Sequence, residues 1–401
     1  MILKQNKICE LLTVPSIRSI LLWSIPARLH LSVTSIAIVL LLLERTDSAA
    51  KAGIIASGLV LGQGITGPIR GRYVDTHRTS VGLKVTSIAY GIGLIGLPVV
   101  LSESLFSGYL LVFLAGLMCP PSTQVSRAKL AQAAADTEWN RVYALQSVIS
   151  ELVLICGPAL VAFVVAAFSP SIAMQVSGAI AIIGGLGLAR SYRYFGIDHP
   201  PSSSAANQPR GRLSSAAWRI IVSVAVLGGF VYVDRFVSTF WSGNSGESSL
   251  GAILIVIWAV GSMLGGIISG SKEQTYSLII PFLAVVFLTA VLTVMMYIFQ
   301  ANSQGLLLLG TVLLVHGGFI TPCLARLYSS LAVLVGAARA RAFGWKASFT
   351  TASGAVASAI GGAVSESHSP YILIAVATVL LAAVFLWALR INNENTVKVV
   401  L

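Results

Sequence analysis

Four ionisable side chains lie deep inside apolar runs of membrane length: Arg28, Glu151, Asp234 and Arg235, with His30 and His316 as titratable companions. A charge near a bilayer centre costs about 2.5 to 3.5 kcal/mol on insertion scales, so such residues are candidates for work, and a buried carboxylate can take up and release a proton. Glu151 follows Tyr143 by eight residues and Arg28 follows Ile20 by eight, which sets both about 12 Å from the same end of two helices that run the same way. At one depth they can meet. A static pair would only hold two helices together, whereas a separable pair would let the carboxylate switch between its charged and neutral forms. Asp234 shares a helical face with Phe230 and Ser238 and faces the same space from the second half of the chain, unless it and Arg235 both reach the interface near Trp241.

Other chemistries find no constellation. The histidines, His30, His77, His199, His316 and His368, are scattered, and the cysteines, Cys9, Cys119, Cys156 and Cys323, lack metal-ligand spacing, so neither a metal nor a cofactor is expected. No G-x-x-x-x-G-K-[ST] loop is present to bind a nucleotide, which excludes ATP as the direct energy source. His316, beside Gly317-Gly318, reads as a packed hydrogen-bonding residue. With 56% hydrophobic residues, 10% charged residues and a mean hydropathy of +0.87, the 401-residue chain is a polytopic membrane protein. Its net charge of +12 then belongs to topogenic loops rather than to nucleic-acid binding.

The elements that must position these residues are membrane helices. Apolar runs near 20–43, 53–69, 85–101, 109–124, 144–167, 172–189, 216–241, 250–270, 276–299, 305–334, 342–364 and 371–389 give about twelve spans, six on either side of a polar stretch. That stretch, rich in Pro and Ser, divides the chain into a bundle over 1–189, a linker over 190–215 and a second bundle over 216–401. With the N-terminus in the cytoplasm, the inner segments hold 19 of the 26 Lys and Arg, and the outer loops hold Arg45 and Lys51 alone. The positive-inside rule therefore places both termini and the linker in the cytoplasm, at the plasma (inner) membrane. Arg219, Arg326 and Lys346 sit near inner ends and are expected to snorkel.

Glycines repeat between the halves. Gly62, Gly67 and Gly71 recur 199 residues later as Gly261, Gly266 and Gly270, and Gly116 and Pro121 recur 201 residues later as Gly317 and Pro322. After the second span comes the basic hairpin Gly71-Arg72-Tyr73-Val74-Asp75-Thr76-His77-Arg78, read as a short cytoplasmic loop with one acid among cations. Two groups of six spans and this loop resemble the major facilitator superfamily, whose loop pattern is roughly G-x-x-x-D-R-x-G-R-R. Gly71 and Asp75 match its first and fifth positions, while Thr76 and Arg78 depart from it. Gly157-Pro158 is similar to the core of the helix-bending antiporter signature, without its later glycines. The run from Ser147 to Val161 resembles drug-efflux members found in actinobacteria, with an acid six residues before the Gly-Pro.

The resemblance implies an all-α major facilitator fold with no enzymatic activity, alternating access between two bundles, and an inner gate at Gly71, Arg72, Asp75 and Arg78. It also makes Arg28 and Glu151 neighbours, since the first and fifth spans adjoin in that fold. The expectation is a monomeric secondary transporter whose partners are a small-molecule substrate, protons and the lipid bilayer, most simply an exporter of a fairly apolar compound. Uptake by symport or uniport is the alternative within the class, and a non-transporting membrane protein the alternative outside it.

Overall fold

The computed structural model of the chain describes residues 7–47, 49–101, 104–135, 138–199, 213–244, 248–271, 279–299, 303–335 and 338–367, with scattered helical positions between 376 and 387. The described elements are all helices: α1 (Lys7–Thr13), α2 (Pro15–Ser24), α3 (Pro26–Thr46), α4 (Ala49–Thr76), α5 (Thr79–Val100), α6 (Leu105–Met118), α7 (Ser122–Ala133), α8 (Trp139–Ala167), α9 (Pro170–Tyr194), α10 (Ser215–Asn244), α11 (Ser248–Ser271), α12 (Ile279–Phe299), α13 (Ser303–Val335) and α14 (Arg339–Ser367). Among the described residues seven segments are long and apolar enough to cross a membrane, namely α2 with α3, α4, α5, α6 with α7, α8, α9 and α13. Shorter apolar runs lie in α10, α11 and α12. The span expected over 371–389 and most of the linker fall outside the described residues.

Breaks in the helices follow from proline. Pro26 opens α3 at its first position, where its missing N–H costs nothing, and so divides the first span at Ile25. In the fourth span Pro120-Pro121 end α6, and of the carbonyls near its end Gly116 takes the Cys119 N–H while Leu117 and Cys119 have no helical donor. Arg70 of α4 fills that need, donating to the carbonyls of Gly116, Leu117 and Cys119. A cation on orphan carbonyls also complements the negative end of the helix dipole. Inside α4, Pro68 cannot bond to Gly64, and the freed Gly64 carbonyl instead accepts the Ser348 hydroxyl of α14 at 2.5 Å.

The repeated glycines mark equivalent helix crossings. Gly62 of α4 lies against the backbone of α6 from Phe113 to Leu117, and Gly116 lies against Leu59. In the second half Gly261 of α11 meets Leu314 of α13, while Gly317 meets Trp258 and Ser262. Gly67 and Gly266 in turn face the opposite half, the first against Gly344 and Ser348 of α14, the second against Ala144 and Val148 of α8. The helices thus pack as two related groups, with α4 on α14 and α8 on α11 and α13 joining them. Buried Trp139, Tyr143 and Ala144 of α8 share one apolar core with the residues of α10 to α14, so that core is continuous across the halves.

At the end of the molecule that holds Asp75, α9 closes on Gly196, whose φ of 69° is the left-handed conformation that glycine adopts freely. The Gly196 and Ile197 N–H groups satisfy Arg193 and Tyr192 carbonyls, turning the chain so that Asp198 reaches the start of α5. Its carboxylate accepts from the Ser80 N–H at 2.6 Å and the Ser80 hydroxyl at 2.8 Å. Lys129 of α7 donates to the His199 carbonyl at 2.8 Å. These bonds clasp the third, fourth and sixth spans into one block.

Candidate functional site

The expected hairpin at 71–78 is different in the structure: α4 continues to Thr76, so Gly71, Arg72 and Asp75 are helical and only His77 and Arg78 link it to α5. Nothing in that sequence stops a helix, and a helix need not end where the bilayer does. The extra turns carry Gly71 onto the backbone of Ala340 and Arg341 and place Asp75 at the start of α14. One carboxylate oxygen accepts the Ala340 N–H at 2.9 Å and the other the Arg341 N–H at 2.8 Å. Both donors belong to the first turn of α14, which has no helical acceptors for them. Arg72 and Arg78 are exposed.

Further contacts join the halves at this end. Asn140 of α8 accepts the Ser329 hydroxyl of α13, Arg339 lies 4.5 Å from the ring centroid of Trp139, and Tyr143 packs edge-on to Tyr328 and tilted against Phe343. Towards the other end α3, α4 and α14 diverge around a cavity of 680 Å³. Its lining is mostly apolar, including Val60, Leu61 and Phe349, with Ser57, Gln63 and Thr351 as polar points, and its size suits a small molecule.

Arg28 and Glu151 lie in one neighbourhood, and each bonds to a further element. The Arg28 guanidinium donates to the Gln146 carbonyl at 3.3 Å and to the Ser150 hydroxyl, both on α8. Glu151, one residue further along, turns to the other half: its Oε1 accepts the Ser262 hydroxyl of α11 at 3.1 Å, and Ser262 pairs at 2.6 Å with Thr321 of α13. Near the start of α8 Arg141 forms an ion pair with Glu138. Glu151 is therefore a buried carboxylate at the seam, tied to α11, while Arg28 ties α3 to α8. Asp234 lies in α10, and its side chain is outside the described residues. Gly157 allows the close approach of Ser32 on α3, and Pro158 sits within an unbroken α8.

Sequence reasoning passed over one group. Arg127 and Lys129, counted among inner-loop cations, are buried in α7, and Lys346, expected to snorkel, is buried in α14. Arg127 and Lys346 both lie against the ring of Tyr328, their charged atoms 4.3 and 5.1 Å from its centroid. Such cation–aromatic contacts are stronger between desolvated side chains, which a helix lining the seam supplies. Elsewhere His316 is a packing residue: the Trp258 indole, a donor only, bonds to its Nδ1 at 3.1 Å, so Nε2 carries the proton and meets Thr289 at 3.2 Å. No group of three His, Cys, Asp or Glu residues among the described ones could hold a metal ion.

Comparison with known proteins agrees with this architecture. The sequence model described as Major Facilitator Superfamily matches residues 21–338. No curated protein matches the chain. Among solved structures, a bacterial homologue of the iron transporter ferroportin in an outward-facing state is similar over 93% of this chain and 99% of its own, at 14% identity and a TM-score of 0.75. A proton:xylose symporter of the major facilitator superfamily, bound to 6-bromo-6-deoxy-D-glucose, is similar over 92% of this chain and 95% of its own, at 14% identity and a TM-score of 0.71.

Proposed function

The chain belongs to the major facilitator superfamily, a transporter and not an enzyme, and we propose that it exports a small, largely apolar compound in exchange for protons. The observation that carries the coupling is the seat of Glu151: a titratable carboxylate buried near the middle of α8, whose hydroxyl donor Ser262 belongs to the opposite half. When the halves rock against each other, that donor must change. A carboxylate whose surroundings alternate with the transport cycle can gain a proton in one state and lose it in the other. Asp234 is the second carboxylate of the path, and the apolar lining of the 680 Å³ cavity suits an apolar cargo. The likeness of the run from Ser147 to Val161 to drug-efflux members supports the same direction of travel.

In this reading the bundle over 1–189 and the bundle over 216–401 alternate about the seam, joined by a cytoplasmic linker over 190–215, with both termini cytoplasmic and the protein a monomer in the plasma membrane. Gly71, Arg72, Asp75 and Arg78 form the inner gate, and Gly157-Pro158 gives α8 its adjustable point. Neither cofactor nor metal takes part. Purified protein in proteoliposomes, with an imposed pH gradient and internal pH followed against a panel of apolar compounds, tests the proposal. Compound-dependent proton flux opposite to compound movement is the expected result. Flux in the same direction would make the protein a symporter, and compound movement indifferent to the gradient would make it a uniporter.

A further inference from the structure

We propose that the transported compound is an organic anion, and that its acidic group is held by Arg28, Arg127 and Lys346 around the ring of Tyr328. The inference rests on the reading of the chain as a transporter and adds the chemical class of its cargo. The three cations come from α3, α7 and α14 and are 6%, 5% and 8% exposed. Arg127 and Lys346 share the Tyr328 ring, and Arg28 bonds to Gln146 and Ser150 of α8, one and two turns along from Tyr143, which packs edge-on to the same ring. Among the described residues one acid, Glu151, stands near them, and it accepts the Ser262 hydroxyl. Of the other described acids at this end, Asp75 bonds to α14, Glu138 to Arg141 and Asp198 to Ser80, and Glu10 of α1 is exposed.

An excess of buried positive charge needs a counter-charge, and an aromatic face supplies only part of one. Hydrogen bonding is incomplete in the same place. The Nε of Arg127 has no partner, nor does either amide atom of Gln146, the buried residue whose backbone holds Arg28. A carboxylate brings two acceptor oxygens in the geometry that a guanidinium fork recognises. Lys346 lies within one turn of Phe349, where the apolar cavity begins, and Ser35 of the same cavity is two turns, about 10 Å, beyond Arg28. A molecule with an apolar body and an acidic end fits that layout. Because Arg28 and Arg127 belong to one half and Lys346 and Tyr328 to the other, such an anion bridges the halves and loses ligands when they part.

The competing account is a lock: cations and tyrosine that only close this end of the molecule. Full-length protein in detergent, at constant ionic strength, separates the two by thermal unfolding with benzoate, its neutral isostere benzamide, benzylammonium, decanoate and inorganic phosphate. Benzoate and decanoate should raise the unfolding temperature in a saturable way, and benzamide and benzylammonium should not. Arg127→Met and Lys346→Met should each weaken carboxylate binding by roughly tenfold while leaving the unliganded protein as stable or more so, since each removes a like-charge repulsion; Arg127→Lys should restore part of the binding. Equal stabilisation by benzamide, stabilisation by phosphate alone, or no effect of either carboxylate overturns the proposal. So does carboxylate binding unchanged in Arg127→Met, or unliganded variants that simply lose stability. The measurement needs no gradient, so an anion-selective protein that moves no protons would keep this inference and lose proton-coupled export, and the converse result would do the reverse.

Discussion

Asp75 and Arg341 meet across the two halves of the molecule, the carboxylate accepting the Arg341 backbone N–H at 2.8 Å while its other oxygen takes the N–H of Ala340. The contact works as a helix cap supplied in trans. A side-chain cap contributes about 1 kcal/mol and a negative charge at a helix N-terminus a further 0.3 to 1 kcal/mol. Asp75→Asn keeps one acceptor oxygen and loses the charge; Asp75→Ala loses both bonds. Initial transport rates per inserted molecule should fall in the order wild type, Asn, Ala, with membrane insertion unchanged. Equal rates in all three would leave Asp75 a topological marker only.

The glycine crossings make a prediction about stability. A Cβ at Gly62 would press on the backbone of α6 and one at Gly261 on that of Leu314, whereas one at Gly93 of α5 meets nothing within 4 Å. Gly62→Ala and Gly261→Ala should each lower stability by about 1 to 3 kcal/mol, the usual cost of overpacking. Gly93→Ala should be neutral or stabilise by up to about 1 kcal/mol, because alanine loses less backbone entropy in a helix. Unfolding temperatures of the three variants in detergent decide the matter. Tolerance at Gly62 together with intolerance at Gly93 would contradict the crossing geometry.

Orientation in the membrane is open to a labelling test. Glu44, exposed at the end of α3, and His199, exposed beyond α9, lie at opposite ends of the bundle. In a background without native cysteines, Glu44→Cys should react with an impermeant thiol reagent on intact cells, and His199→Cys only after permeabilisation. The reverse pattern would invert the topology inferred from the distribution of Lys and Arg.

What could be read in the chain followed the range of the forces involved. Helix spans were legible because length and hydropathy are local, and the pairing of Gly62 with Gly261 because both halves solve the same packing problem. Reading failed where a residue's role depends on a distant partner. Nothing in the sequence around Arg70 marks it as the cation that caps α6, and Pro120-Pro121 beside Gly116 is the hint that a cap is needed. Arg127 and Lys346 carry no mark that separates a buried cation from a topogenic one, since Tyr328 is remote in sequence. Glu151 was singled out by depth, but its bond to Ser262 could not be, since the two are 111 positions apart in the chain. α14 is more polar than a lipid-facing helix because Arg339 lies over Trp139 and Lys346 is buried against Tyr328, and composition alone cannot say which face that is.

Glu151 is where proton coupling can be tested by charge alone. Glu151→Gln keeps a carbonyl oxygen able to accept from Ser262, so the contact between α8 and α11 survives while the ionised state becomes inaccessible. The variant should fold, bind compound and carry out downhill exchange at near wild-type rates, yet lose gradient-driven accumulation, roughly a hundredfold if the proton passes through this side chain alone. Arg28→Ala should behave differently. It removes the donors to Gln146 and Ser150 that hold α3 to α8, so exchange and gradient-driven transport should fall together. Counterflow and pH-driven uptake in the same vesicles separate the two patterns, with Ser262→Ala as the control for the hydrogen bond itself. Normal pH-driven transport in Glu151→Gln would remove the assignment and turn attention to Asp234.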